Sequence, residues 1–219
     1  MFEIITLALL IISIIFHEVA HGYAANWLGD PTARLAGRLS PNPILHIDPI
    51  GSLLVPATMY ITNMPFLFGW AKPVPYNPYN LRNQKWGESF VAAAGPLANI
   101  LLAVVFSVLI RFEEILSLSS KFVEMSAYIV FINVLLALFN AIPFPPLDGS
   151  KIIVPFLPFQ LAQKYCALTQ YMERLGFIAL FLCIFLLMQV FGDLFMTIII
   201  HVGSIFTGLS PMDFLQLIM

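Results

Sequence analysis

Four stretches of this sequence are too apolar and too long to serve as exposed elements of a water-soluble fold. Residues 4–16 (IITLALLIISIIF) hold only Thr6 and Ser13 as polar side chains, and the helical run continues through His17–Leu28. Glu88–Ile110, Met125–Ile142 and Leu175–Phe206 follow, the last interrupted at Gly192–Asp193. A helix needs about 20 predominantly apolar residues to cross the hydrocarbon core of a bilayer, and these blocks meet or approach that length. Composition agrees. Of 219 residues, 60% are hydrophobic and 10% are charged, against about 25% charged in an ordinary soluble domain. The expected fold is an all-α polytopic membrane protein forming one integral-membrane domain over residues 1–219, with the lipid bilayer as its solvent.

The first block reads as a retained span and not as a cleaved leader, because Glu3 precedes it where a leader carries basic residues, and it runs directly into FHEVAHG. With spans at 4–26, 88–110, 125–142 and roughly 170–191, eight of the ten basic residues fall on one side: Arg34, Arg38, Lys72, Arg82, Lys85, Lys151, Lys164 and Arg174. Only Arg111 and Lys121 fall on the other. The positive-inside rule makes the first side cytoplasmic and puts the N-terminus outside. Pro49–Ala71 carries no charge but holds Pro56, Pro65, Gly51 and Gly69; by hydropathy alone it reads as a fifth span, and the expectation preferred here is that it dips into the membrane and turns back. RLAGRL, within Gly29–Asp48, alternates weakly like a short strand. The net charge of −2 excludes a broad basic field and with it a nucleic-acid partner. Two cysteines, Cys166 and Cys183, make neither a disulfide framework nor a cysteine zinc site.

The chemistry concentrates in His17-Glu18-Val19-Ala20-His21, an HExxH sequence inside an apolar helix. At 100° per residue His17 and His21 stand one turn apart on the same face, so their imidazoles can share one ion with Glu18 beside them. Zinc in such an open site lowers the pKa of a bound water, and a neighbouring carboxylate can take its proton. An idle cluster of two imidazoles and a carboxylate in lipid would be an unexplained penalty, an ionised side chain at mid-bilayer costing roughly 3 kcal/mol.

A catalytic zinc needs a third protein ligand. Asp148 lies in NAIPFPPLDG at 140–149, where three prolines break the helix; it reads equally as that ligand or as the acidic residue of an Asp-Gly turn. Gly149 is expected to allow a sharp turn that aims the carboxylate inward. His17 lies about 24 Å along a helix from Met1, near the cytoplasmic end of the first span. The third span ends on that side too, so the two motifs share a depth, whereas an extra crossing at Pro49–Ala71 would part them. In Gly95-Pro96-Leu97-Ala98-Asn99, small residues permit close approach of a neighbour and Pro96 should kink the helix. Asn99 serves either packing or, like Asn140, donation of hydrogen bonds to an inserted peptide or to the oxyanion formed during attack. His46 reads as a loop histidine or as a group near the site. His201 and Asp193 read as structural, Asp193 as the cap of a final half-helix.

These residues resemble the site-2 protease family of intramembrane zinc metalloproteases. HEVAH at 17–21, GPLAN at 95–99 (the family's GPxxN) and the segment 140–149 (its NxxPxxxxDG) occur in family order across residues 17–149. The resemblance implies a three-helix catalytic core in residues 1–149, followed by one or two C-terminal membrane helices in 150–219. It implies one Zn2+ per chain held by His17, His21 and Asp148, with Glu18 as general base, and Asn140 and Asn99 as substrate-holding residues. GWAKPVP at 69–75 and NPILHIDPIG at 42–51 resemble the compact subgroup without PDZ or CBS domains. The implied activity is hydrolysis of a peptide bond within or beside a transmembrane segment of another protein, in a prokaryotic cell membrane near the cytoplasmic face. Substrate selection would then lie in loops or a regulatory partner. The rival readings are a metal transporter or sensor using the same three ligands, which would favour paired repeats and ligands leading to both sides, and a membrane zincin of the CaaX type with a distant Glu ligand.

Overall fold

A computed structural model describes residues 2–61 and 71–218. Among these residues there are helices, turns and loops but no strand. The α-helices in chain order are α1 (Phe2–Trp27), α2 (Thr32–Leu35), α3 (Val55–Ile61), α4 (Gly87–Arg111), α5 (Ser120–Asn140), α6 (Asp148–Ile153), α7 (Phe159–Leu175), α8 (Phe177–Thr207) and α9 (Pro211–Ile218). Four segments are long and apolar enough to cross a membrane: Leu7–Trp27, Gly87–Arg111, Ser120–Asn140 and Gln189–Thr207.

Local sequence sets the boundaries. α5 begins where the Ser119 side chain accepts from Phe122 N, and it ends ahead of Pro143, Pro145 and Pro146, none of which can extend the backbone ladder. α8 closes on Gly208 in the left-handed conformation, with φ 78°, the geometry glycine adopts without a Cβ clash. α4 is the hub, packing against α1, α5, α6 and α8. Ala103, Ile110, Val123, Ala127, Val130, Val134, Phe195, Ile199 and Phe214 form the main core between α4, α5, α8 and α9. Small residues bring these helices together, which matters where lipid supplies no hydrophobic drive for helix association. Gly203 is one example, since a Cβ there would stand 2.4 Å from the Phe214 ring.

The strand and the Asp193 cap expected from the sequence are not what the chain forms. The strand in RLAGRL is instead α2 and a turn, closed by Leu35 N–H on Pro31 O and Ala36 N–H on Thr32 O. Pro31 holds a near-helical φ of −82°, and six weakly alternating residues with no partner strand cannot form a ladder. The final apolar block, which the sequence left open as one long span or a span followed by a half-helix, is one helix of 31 residues. One interior glycine costs a helix only about 1 kcal/mol, so Gly192 does not interrupt it; the break falls at Gly176, where φ is 53°. Asp193 therefore lies inside α8 and caps nothing. α4 runs unbroken through Pro96. The expected dipping loop at 49–71 begins as π-helical turns over Pro49–Leu54 that lead into α3. Together they are about 20 Å long, short of a crossing, and the point where the chain would turn back, 62–70, lies outside the described residues.

Candidate metal centre

The face of α1 that carries His17 and His21 meets α4 at Gly95 and the N-terminal end of α6 at Asp148. The His17 and His21 Nε2 atoms are 3.1 Å apart. Asp148 Oδ2 lies 3.0 Å from the first and 3.3 Å from the second. Tetrahedral zinc with N and O ligands at 2.0–2.1 Å would space its ligand atoms by about 3.3 Å, so the three atoms already sit at the right separations for one ion. Gly95 makes room for them, since a Cβ there would fall 2.5 Å from His21 Nε2 and 2.6 Å from His17 Nε2.

Hydrogen bonds behind the rings set the tautomers. His21 Nδ1 is 2.7 Å from Val91 O, and a carbonyl only accepts, so Nδ1 carries the proton and Nε2 keeps a lone pair. His17 Nδ1 donates to Asn99 Oδ1 at 2.5 Å, with the same result. Two bare lone pairs and a carboxylate therefore converge, an arrangement that calls for a shared cation. The donor set fits zinc, with two neutral imidazoles and one anionic oxygen. Among the described residues this is the one group of three or more His, Cys, Asp or Glu placed to hold a metal.

Asp148 is positioned by the helix it starts. It is the first residue of α6, after the Pro145–Pro146 cis bond and Leu147. Gly149 acts here through its size, because a Cβ would stand 2.3 Å from the carbonyl oxygens of Ala141 and Ile142. The freedom to turn sharply that the sequence suggested is not what the position uses: Gly149 is not among the glycines with positive φ. Ser89 Oγ, donating to Lys151 O at 2.8 Å, ties α6 to α4.

The three candidate ligands open onto a cavity of about 470 Å³, also lined by Glu18, Val74, Tyr76, Asn140 and Lys151. Glu18 Oε2 accepts from Val74 N at 2.9 Å. Residues 71–76, led by AKPVP, are held as a wall by further bonds: Lys72 N donates to His46 O at 2.8 Å, and Arg38 Nη2 donates to Lys72 O at 2.8 Å. At the end of this segment Lys151 Nζ donates to Tyr76 OH at 3.2 Å, which donates to Glu88 Oε1 at 3.0 Å. Burial pushes the Tyr76 phenol up, so it stays a hydroxyl.

Of the residues singled out in the sequence, His17, Glu18, His21, Asn140 and Asp148 share this cavity. Asn99 does not. It is 0% exposed, behind His17, where it holds the imidazole and cannot reach a peptide in the cavity. His46 is buried away from the metal centre, with Nε2 donating to Ser40 O at 2.8 Å. His201 and Asp193 lie on the exposed side of α8. Sequence reading passed over Asn133, 0% exposed on α5 and bonded to Asn99. A lone amide inside an apolar span was the available signal. It also passed over the backbone groups Val91 O and Val74 N–H, which no side-chain motif reveals.

No protein-family model matches the chain, and no solved structure matches it. Two curated proteins do. "Putative zinc metalloprotease YwhC" of Bacillus subtilis (strain 168) is 36% identical over 182 residues, covering 80% of this chain and 77% of that protein. "Putative zinc metalloprotease Rip2" of Mycolicibacterium smegmatis is 29% identical over 155 residues, covering 70% of this chain and 58% of that protein. On the extent of the first match, and in agreement with the site-2 protease motifs of its sequence, this chain belongs to the family of zinc metalloproteases that includes YwhC.

Proposed function

We propose that the chain is an intramembrane endopeptidase that hydrolyses a peptide bond within or beside a transmembrane segment of another protein. The observation that carries the reading is one cavity, among helices apolar enough to span a bilayer, onto which a zinc-type donor set and the Glu18 carboxylate both open. The excess of basic residues on the loops that flank it supports a cavity at the cytoplasmic face with the N-terminus outside.

His17, His21 and Asp148 would hold the zinc, which supplies Lewis acidity to the scissile carbonyl and to water when bound. Glu18 is held by Val74 N–H through Oε2, which leaves Oε1 to take the proton of the attacking water and pass it to the leaving amine. A peptide bond in a helix is shielded by its own hydrogen bonds, so the substrate unwinds locally to enter. Asn140 lines the cavity with Nδ2 bonded to Leu136 O at 3.0 Å, and in this reading its Oδ1 accepts from an unwound peptide N–H. The Lys72–Tyr76 wall runs beside the same path. Transport by the same ligands has no support among the described residues, which offer no second cluster leading away from the centre.

Replacing Glu18 by Gln tests the reading. The amide keeps an acceptor for Val74 N–H, so zinc stoichiometry stays at the wild-type value while cleavage of a model membrane-spanning peptide in detergent falls at least about a hundredfold. Undiminished cleavage removes Glu18 from the mechanism, and zinc-dependent uptake into vesicles without cleavage replaces the protease reading by transport.

A further inference from the structure

Three helices contribute to a run of buried amides behind the metal centre. Asn133 on α5 donates through Nδ2 to Ile129 O at 2.8 Å and to Ser13 Oγ at 2.9 Å. Its Oδ1 accepts from Asn99 Nδ2 at 2.7 Å. Asn99 Oδ1 in turn accepts from His17 Nδ1 at 2.5 Å. Asn99 and Asn133 are each 0% exposed, so no water competes for these groups.

The chain of bonds has only one consistent direction. Ile129 O is a carbonyl and must accept, which fixes the Asn133 amide with its nitrogen towards Ile129 and its oxygen towards Asn99. That oxygen fixes Asn99 with its nitrogen towards Asn133 and its oxygen towards His17. An oxygen there requires a proton on His17 Nδ1, which leaves Nε2 bare on the metal side. Asn99 Nδ2 also reaches Ser13 O, but at 3.5 Å, so Asn133 supplies the short bond that fixes the amide; without it only that long contact opposes a half-turn that presents NH2 to Nδ1, and the favoured imidazole then carries its proton on Nε2 and cannot ligate.

The geometry points to Asn133 as a positioning residue that selects the metal-binding tautomer of His17 by orienting Asn99. It rests on the reading of His17, His21 and Asp148 as a zinc site. No recognised motif contains Asn133, and it touches neither the metal ligands nor the cavity.

Zinc affinity of the detergent-purified protein, measured by competition with a chromogenic chelator, tests this without reference to proteolysis. Asn133→Leu lowers affinity by about 10–100-fold, the usual effect of removing a ligand's hydrogen-bonding support. Asn99→Leu does the same, and the double variant is no weaker than Asn99→Leu alone, because both remove one pathway. Asn133→Asp stays near wild type, since in either protonation state it offers Asn99 an oxygen. Where Asn133→Leu does not fold, Asn133→Ser, too short to reach Asn99, takes its place. Wild-type affinity in the Leu or Ser variant overturns the inference. So does a further loss in the Asn99→Leu background, or an Asp variant as weak as Leu. A wild-type protein that binds no zinc overturns the metal-centre reading itself.

Discussion

Gly95→Ala adds one carbon at the point where α4 faces both histidines. That carbon would stand 2.5 Å from His21 Nε2 and 2.6 Å from His17 Nε2 and Cε1, whereas ordinary contact begins at 3.4 Å. Either both rings retreat by about 0.8–0.9 Å or α4 backs away from α1. Metal–ligand distances tolerate about 0.2 Å, so two of the three candidate ligands are displaced by roughly four times what a site absorbs. Zinc affinity should fall at least tenfold and peptide cleavage at least about a hundredfold. Helix propensity acts the other way, since Ala is favoured over Gly by about 1 kcal/mol inside a helix, so the metal-free protein should unfold no earlier than wild type if the rings are what move. The assay pairs chelator competition for zinc with thermal unfolding of the metal-free protein in the same detergent. Gly192→Ala is the control, because nothing lies within 4 Å of its added carbon; it should leave zinc binding unchanged. A Gly95→Ala protein with wild-type zinc affinity would show that His17 and His21 do not hold the ion against α4, and the arrangement described above would be wrong.

Gly149→Ala places a carbon 2.3 Å from two backbone oxygens, which cannot yield as side chains do; it should displace Asp148 and abolish stoichiometric zinc, read by elemental analysis. Asn140→Leu should leave zinc affinity intact and raise KM for a membrane-spanning peptide, because Asn140 lines the cavity but holds no ligand. Asp30 accepts from Asn77 N at 2.6 Å, Asn80 Nδ2 at 2.8 Å and the Thr32 hydroxyl at 2.5 Å, and Asp30→Ala should cost about 1–3 kcal/mol in denaturant titrations by stranding these donors. Burial pushes that carboxyl up, but its hydrogen bonds, led by Thr32 and Asn80, win and hold it low. Its contribution is therefore complete above the ordinary value of 3.8 and is lost as pH falls through the lower folded value; an acid transition unchanged by Asp30→Ala would refute this.

The spans and the two histidines were legible because hydrocarbon and helical periodicity leave few options. A charge-poor block of 20 residues has one stable form in lipid, and residues four apart on a helix face one way. What failed to show was whatever depended on contacts across the fold. Asn99 looked like a substrate group because its helix position was readable and its depth was not. Only the packing of α1 and α5 on α4 reveals that its amide faces His17 from behind. Gly149 was noticed for the wrong property: a sequence shows that a side chain is missing, but not whether φ or space demands it. Gly192–Asp193 looked like an interruption, yet the neighbouring apolar residues outweigh one glycine, and the helix boundary falls instead at Gly176, beside Leu175 where the apolar block begins. The Glu18 bond to Val74 was out of reach because a backbone N–H belongs to every residue but proline.

Polar groups in these helices follow a rule that also explains why the site draws on distant segments. Inside hydrocarbon an unpaired amide or imidazole has no water to fall back on, so each must find a partner within the protein, and a group its own helix does not satisfy finds one on a neighbouring helix. Ser13 and His17 come from α1, Asn99 from α4 and Asn133 from α5, and each bond in the series joins two different helices. No pair of these helices alone completes it. The series ends at the cavity, the first place where an ion and water can meet the last free lone pair. Assembly of the three spans and preparation of His17 are therefore one event: a helix misplaced by a single turn breaks the bonds that align the helices and the tautomer that binds metal together. Activity then reports correct packing, and the polar groups that lipid makes costly are the ones that specify how the spans fit.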